Sequence, residues 1–588
     1  MSNMELKRLF DLLDRSKEKF NKQVVFGGKV GGIWQRYSLQ QHIDNSTNIS
    51  FGLMKLGIKP GDKIISISTN RPEWNFLDMG IMMCGAIHVP VYPNISSEEY
   101  KHIFNHSEAK MVFVAGEEMY LRIKDILPEC RNIEKIYTFR DLHGIEHLNE
   151  LVELGKQNPQ PEKLQSIKDS ITEDDIVTII YTSGTTGIPK GVMLSHKNLL
   201  SNIEAIYRIP PQDPQMVTLS FLPLCHVLER IMNYMYQYNG YTIYYVDNIA
   251  LVSDAMRETN PHIVCCVPRV LESIHDKIMA TGRKLSGYER FFFFWAIRIG
   301  YKYKIEGNNV FYRAQLWLLR KLVFKKWKQA LGGNLDIIVS GGAALQERLS
   351  RIFWAAGFRV LEGYGLTETS PVIAVSNFSK NAIEFGTVGP PLSNVQIRIA
   401  DDGEIQCVGP NVMKGYYKDS EQTNSVMTED GWFRTGDIGL ITSKGNLKIT
   451  DRKKEIFKTA AGKYISPQLI ENMLKQSPFI DNAMVVGENQ KYPAAIISPN
   501  FFHIRSWCEI KDIAFTTNSD ALIKPEVKKR ISVEIEKVNT LLGEHERIVK
   551  FELTENSWSV ETSELTPTLK LRRKIISEKY SDLINKLF

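Results

Sequence analysis

The sequence predicts an α/β protein of more than one domain, with Rossmann-like strand–helix units in its first part. Three observations carry this. Strand-like and helix-like segments alternate through the first 180 residues. Short strands with Gly and Asp turns replace them between residues 388 and 449. A chain of 588 residues also exceeds what one hydrophobic core organises.

Taken in order, residues 63–68 (KIISIS) read as a strand and 74–84 as a helix. Residues 86–93 (AIHVPVYP) form a second strand, ended by proline, and 110–115 (KMVFVA) a third. Strands alternating with helices imply parallel βαβ units. Residues 176–180 (IVTII) are a β-branched strand, and Ser195-His196-Lys197-Asn198 opens a helix. The 388–449 segment, with DDGEIQCVG and SKGNLKIT, suggests a small β-barrel or sheet. Beyond Asp451, amphipathic helices and short strands suggest a smaller terminal domain.

Composition excludes several classes. A net charge of +6 suits small anionic ligands but is too weak for nucleic acid, and no nucleic-acid motif is present. The seven cysteines form no CxxC pair and read as reduced, buried thiols of a cytosolic protein. The first twenty residues carry charges throughout and lack the apolar core of a secretory leader. No apolar run approaches the roughly 18–20 residues of a spanning helix. The expected location is therefore cytoplasmic.

The 176–180 strand runs into Tyr181-Thr182-Ser183-Gly184-Thr185-Thr186-Gly187-Ile188-Pro189-Lys190. Backbone N–H groups and hydroxyls in such a loop can wrap an oxyanion, because glycine lets the backbone approach closely. Lys190 adds a cation. The Walker spacing G-x4-G-K-[ST] is not met.

This run resembles the signature of the adenylate-forming (AMP-binding) superfamily, which holds acyl-CoA synthetases, nonribosomal adenylation domains and firefly luciferase. Four further segments match in the family's order: Glu362-Gly363-Tyr364-Gly365-Leu366-Thr367-Glu368, Trp432-Phe433-Arg434-Thr435-Gly436-Asp437, Asp451-Arg452-Lys453-Lys454-Glu455-Ile456-Phe457-Lys458, and Leu565 to Lys570 with the following Leu-Arg-Arg. The resemblance covers essentially the whole chain. It implies a large N-terminal domain (1–450) of Rossmann-like subdomains plus a small β-barrel, and a smaller mobile α+β C-terminal domain (451–588). It also sets the boundary at Asp451, which composition alone does not place.

The implied activity is attack of a carboxylate on the α-phosphorus of ATP, then transfer of the acyl group to coenzyme A. Two anions must meet, so the site must neutralise charge and align the groups. The resemblance makes Glu368 a Mg²⁺ ligand with Thr185 beside it, a hard cation held by oxygen. Thr182, Ser183, Gly184, Thr185, Thr186, Gly187 and Lys190 would cradle the phosphates. Glu362, Gly363, Tyr364, Gly365 and Thr367 would frame the adenine, with Tyr364 stacked on it. Asp437 and Arg452 would hold the ribose. Lys570 would neutralise charge during adenylation, with Lys574 the fallback if the register slips a turn, since the chain reads Thr568-Leu569-Lys570 where many members have Ser-Gly-Lys. Rotation about the hinge Asp451 would exchange Lys570 for Lys458 and Gly462, with Lys453, Lys454 and Lys463 attracting coenzyme A's phosphates.

Residues 221–230 (FLPLCHVLER) resemble the synthetase segment beside the substrate carboxylate. His226 is the candidate gate, and Arg230 joins the acyl site; a core histidine is the alternative. Val267-Pro268-Arg269-Val270 and Ser340-Gly341-Gly342-Ala343-Ala344-Leu345 match the long-chain branch, with Gly341, Gly342 and Ala343 along the acyl chain. Residues 275–330 form an insert with thirteen Lys and Arg against three acids, net +10, interleaved with aromatics. Such basic aromatic helices suit an anionic membrane surface; a hairpin packed on the domain is the alternative. The reading is a long-chain fatty acid–CoA ligase using ATP, Mg²⁺ and coenzyme A, peripherally membrane-associated, without a nucleic-acid partner, and compatible with a homodimer. The alternatives are a synthetase for a shorter or aromatic acid and an inactive lipid-binding protein.

Overall fold

The computed structural model describes residues 6–183, 188–559, 562–566 and 570–588. Two eight-stranded sheets organise the first part of the chain. In one, Val217–Ser220, Ile263–Cys266, Ile337–Ser340 and Arg359–Gly365 run side by side in parallel. Ile263–Cys266 is buried at all four positions, as a strand covered on both faces must be. Val372–Val375 closes this sheet antiparallel to Arg359–Gly365.

In the other sheet Lys63–Ile67 lies between Ile87–Val91 and Met111–Val114, all parallel. Ile176–Ser183 and Pro189–Ser195 pair antiparallel at its far side. Ser195 caps the helix His196–Ile206 and exchanges side-chain bonds with Asn198. The three parallel strands, the start of Ile176–Ser183 and the helix fall where the sequence puts them, while the strand Pro189–Ser195 replaces what the sequence reads as loop.

Residues after 388 form a four-stranded antiparallel sheet, Gln396–Ile399, Glu404–Val408, Phe433–Ile441 and Leu447–Arg452. Its strand order is that of an open sheet, the second of the two forms expected here. Its last strand ends on Asp451 and Arg452. Beyond it, Ile480–Val486, Ala494–Pro499 and Lys550–Leu553 make a three-stranded sheet. A separate core of Ile470, Leu474, Ile497, Ile504, Val527 and Ile531 supports it, which fits a second folding unit.

The insert is helical. The helix Pro268–Arg283 leads into Gly287–Tyr301, and Val310–Leu319 continues through a π-turn, Arg320–Phe324, to Lys325–Ala330. Phe293, Ala296, Ile297 and Gly300 form the buried face of Gly287–Tyr301. A Cβ on Gly300 would lie 2.7 Å from Ile352, so only glycine lets that helix approach Glu347–Ala356 so closely. All seven cysteines are free and buried. Among the described residues no helix is long and apolar enough to cross a membrane.

Candidate active site

The cleft is assembled at the carboxyl ends of parallel strands, where open α/β sheets bind ligands. Arg359–Gly365 brings Tyr364 to its edge. A Cβ on Gly365 would fall 1.7 Å from the Pro371 carbonyl, so the backbone contact there demands glycine. Tyr364 donates its hydroxyl to Asp437 Oδ2 at 2.7 Å. Asp437 and Arg452 are cross-strand partners, and Arg452 Nε lies 3.1 Å from Asp437 Oδ1. Burial, then the Asp437 charge, raises the Tyr364 phenol well above its ordinary range, so it remains a donor. Ring, carboxylate and guanidinium form one wall suited to a nucleoside.

Glu368 sits on the short turn Thr367–Thr369. Its Oε1 accepts from the Tyr416 hydroxyl at 2.8 Å. Lys190 Nζ stands 5.6 Å over the ring of Tyr416 and donates to Gln422 at 2.6 Å. Tyr416 therefore lies between Lys190 of the strand Pro189–Ser195 and Glu368. Among the described residues no Lys or Arg pairs with Glu368, which leaves carboxylate oxygen for a hard cation; this fits Mg²⁺ brought in with ATP.

His226 caps the helix Val227–Tyr238, its Nδ1 accepting from the Leu228 N–H at 3.2 Å. Burial, with the Lys570 charge adding to it, lowers its pKa to about 4. The ring is then neutral near pH 7, and with Nδ1 accepting, Nε2 carries the proton as a donor. Gly341 adjoins this helix: a Cβ there would be 3.3 Å from Leu228 and 3.5 Å from the Gly363 carbonyl.

Lys570 enters from the C-terminal unit. Its backbone N–H donates to Thr566 Oγ1 at 3.0 Å, and Thr566 N–H donates back to the Lys570 carbonyl at 2.8 Å. Water reaches the side chain, yet protein surrounds it on the sides, as in an open cleft. Desolvation there, then the Arg452 charge, lowers its pKa to about 8, against the pull of Asp437 and Glu368. One lysine is thus felt by His226, Arg452, Asp437 and Glu368 together.

Residues 13–417 match the family model described as AMP-binding enzyme, and residues 455–588 match that of the AMP-binding enzyme C-terminal domain. The chain belongs to the AMP-binding enzyme family. It is 32% identical over 574 residues to the long-chain-fatty-acid–CoA ligase FadD15 of Mycobacterium tuberculosis, covering 96% of this chain and 94% of that protein. It is 31% identical to the peroxisomal long chain acyl-CoA synthetase 7 of Arabidopsis thaliana, over 99% of this chain and 87% of that one. The adenylation domain of a carboxylate reductase from Mycobacterium chelonae shares the fold at 20% identity and a TM-score of 0.78, covering 100% of this chain and 92% of that one. The anthranilate CoA ligase AuaEII with anthranoyl-AMP gives 17% and 0.73, covering 100% and 99%.

Within this AMP-binding enzyme several sequence assignments move. Arg230, expected at the acyl site, is not exposed to a cleft. Its guanidinium is fully buried, 2.6 Å from Asp78 and 2.6 Å from Thr178 Oγ1, because its helix turns it toward Pro72–Met83. Glu362 is turned away from the nucleotide wall: Ser350 donates to it at 3.2 Å, and burial raises its pKa to about 8, so its carboxyl is largely protonated. Lys453 is occupied by Asp402 at 2.5 Å and Glu404 at 2.8 Å, so no free ammonium faces a phosphate in this arrangement. Lys458 lies on the exposed hairpin Phe457–Lys458 and Tyr464–Ile465, with Nζ 4.7 Å over Tyr464, and Gly462 forms its turn. Lys454, Lys463 and Lys574 are exposed, and Lys570 rather than Lys574 occupies the cleft. Gly342 and Ala343 are exposed beyond Gly341. Thr182 and Ser183 pair with Lys190 and Pro189. Gly184, Thr185, Thr186 and Gly187 lie outside the described residues. Asp451, the expected hinge, is buried, its pKa raised to about 6 by that burial. Tyr416 and Gln422 were missed, since no local pattern in the sequence marks them.

Proposed function

We propose that this AMP-binding enzyme is a long-chain fatty acid–CoA ligase. The observation that carries the reading is Lys570 standing among His226, Arg452, Asp437 and Glu368, the charge pattern that adenylation needs. Relatives bearing that activity in their names, matched over nearly the whole chain, support the acyl class.

A fatty carboxylate oxygen attacks the α-phosphorus of ATP, the bond to the β-phosphate breaks, and pyrophosphate leaves. Tyr364 packs the adenine while Asp437 and Arg452 orient the ribose. Lys570 offsets the charge that gathers as the two anions meet. The His226 Nε2–H faces the acyl carboxylate. Glu368, with Thr185, would hold Mg²⁺, which would supply charge neutralisation on the phosphates. In the second step the thiol sulfur of coenzyme A attacks the acyl carbonyl, AMP leaves, and the thiol proton goes to solvent. Lys458 and Gly462 replace Lys570 for that step by rotation about Asp451, and Lys454 and Lys463 meet the coenzyme's phosphates.

The insert gives the chain a surface for peripheral attachment in the cytoplasm. Tyr288, Phe291, Phe311 and Trp317 are 86%, 64%, 80% and 60% exposed, and Lys321 lies 4.0 Å over Trp317. Exposed rings beside a +10 segment suit anionic lipid, which attracts each cation by about 1 kcal/mol. A fatty acid dissolved in that surface would be collected where it is used.

One assay series tests the reading: pyrophosphate release with palmitate, octanoate, acetate and coumarate. Each methylene taken from water is worth about 0.8 kcal/mol, so kcat/KM rises at least about tenfold from octanoate to palmitate. Preference for acetate or coumarate overturns the long-chain assignment. Co-sedimentation with anionic vesicles should weaken when Lys321, Lys325, Lys326 and Lys328 are changed to Gln, and unchanged binding removes the membrane surface alone.

A further inference from the structure

The helix Pro268–Arg283 joins the site to the insert, and both its ends grip the C-terminal unit. At its first turn Arg269 Nη1 lies 2.5 Å from Asp481 Oδ1 and 3.4 Å from Glu272 Oε2. Glu272 is itself held by Gln346 Nε2 at 2.9 Å, which fixes the arginine's near side. Asp481 lies within a register shift of the strand Ile480–Val486, and such bulges re-aim a side chain. Its carboxylate is only 8% exposed, with Arg269 its hydrogen-bonding partner.

At the last turn Arg283 Nη2 donates to His503 Nδ1 at 2.7 Å. His503 packs edge-on against Phe479 at 4.5 Å, two residues before Asp481. Burial, then the Arg283 charge, lowers His503 to about 4, so it accepts as a neutral ring. The two arginines are about 21 Å apart at 1.5 Å per helical residue. Two contacts that far apart fix orientation as well as distance, which one contact does not.

We infer that Arg269 and Arg283 are positioning residues that latch the C-terminal unit in the arrangement that puts Lys570 into the cleft. Neither touches the reacting atoms. They act through Lys570, and both contacts must break before the unit turns to present Lys458. This rests on the two-step ligase reading above. It adds that the first step is favoured by a cross-unit charge pair, and that the helix bearing the insert is the element that holds it.

The test separates the half-reactions in the full-length enzyme. Palmitate-dependent ATP–pyrophosphate exchange reads adenylation, and thioester formation from supplied palmitoyl-adenylate and coenzyme A reads the second step. Arg269→Ala should slow exchange at least about fivefold, the scale of losing a well-aligned ion pair, with the second step unchanged or faster. Arg269→Asp should slow it further, and adding Asp481→Arg should recover most of the loss. Arg283→Ala should act in the same direction. Equal losses in both half-reactions, or a charge swap that restores nothing, overturn the latch. Absence of exchange with any acid in the unaltered enzyme would overturn the ligase reading instead.

Discussion

Arg230 and Lys570 sit in two regions that treat a cation in opposite ways. The Arg230 guanidinium is sealed between the two sheets and fully paired. It meets Asp78, Thr178 and Tyr234, while Asp78 also accepts from the Tyr234 hydroxyl at 2.6 Å and from His88 at 2.6 Å. Burial alone would push Asp78 up; the Arg230 charge and these donors overcome it and hold the carboxylate below its usual range. Lys570 is hydrated, makes no ion pair among the described residues, and has a lowered pKa. The first arrangement fixes structure because nothing remains unsatisfied. The second is left without an ion-pair partner among the described residues, which is what the proposed adenylation requires of it.

The largest effect should follow from breaking the sealed pair. Arg230→Met leaves Asp78 buried without its cation and should cost about 3–5 kcal/mol of stability, read by urea unfolding. Adding Asp78→Asn should recover a good part of it. If Arg230→Met kept its stability and lost palmitate turnover, the arginine would return to the acyl site and the comparison would collapse.

Next comes Lys570→Ala. Removing a cation aimed at developing charge should slow adenylation by about a hundredfold or more. Unfolding should not become easier and should shift toward greater stability, because the cleft desolvates the ammonium and gives it no ion pair. Thioester formation from supplied acyl-adenylate should survive, and Lys458→Ala should show the reverse bias. If both variants lose the same half-reaction, the rotation about Asp451 fails. Glu368→Gln should be milder, about tenfold or roughly 1.4 kcal/mol, with a raised Mg²⁺ requirement.

The sequence told these regions apart only in part. Strands such as Met111–Val114 were legible because a run buried on every side must be apolar throughout. The clustering of Tyr364, Asp437 and Arg452 was legible because each falls in a short, ordered motif. The Arg230 pairing was not legible because its partner is 152 positions away, on a helix of the other sheet, and no local pattern records such a distance. Glu362 was misread for a subtler reason. The strand pairs with Ile337–Ser340 up to Glu362 and with Val372–Val375 from Gly363 on, so neighbours in one motif face different surroundings. Tyr416 left no signal, since its role is a single hydroxyl aimed at Glu368.

The smallest expected effect sharpens the contrast most. Lys570 titrates near pH 8 while Arg230 remains charged throughout, so only the cleft should answer to pH. Adenylation needs the ammonium, so kcat/KM for exchange, which reports the free enzyme, should be level up to about pH 8 and fall about tenfold per unit above it. His226, at about 4, adds no limb near neutrality. In Lys570→Arg the guanidinium stays charged, so the alkaline limb should vanish even where the plateau is lower. A limb that persists in that variant belongs to another group. Stability should move in the opposite sense. The Lys570 folded-state pKa lies below its ordinary 10.5, so the unfolded chain binds that proton more tightly. The cost of keeping it charged in the cleft is present below about pH 8 and is relieved as pH rises toward 10.5. Activity falling while the fold loosens no further would mark a cation held for chemistry.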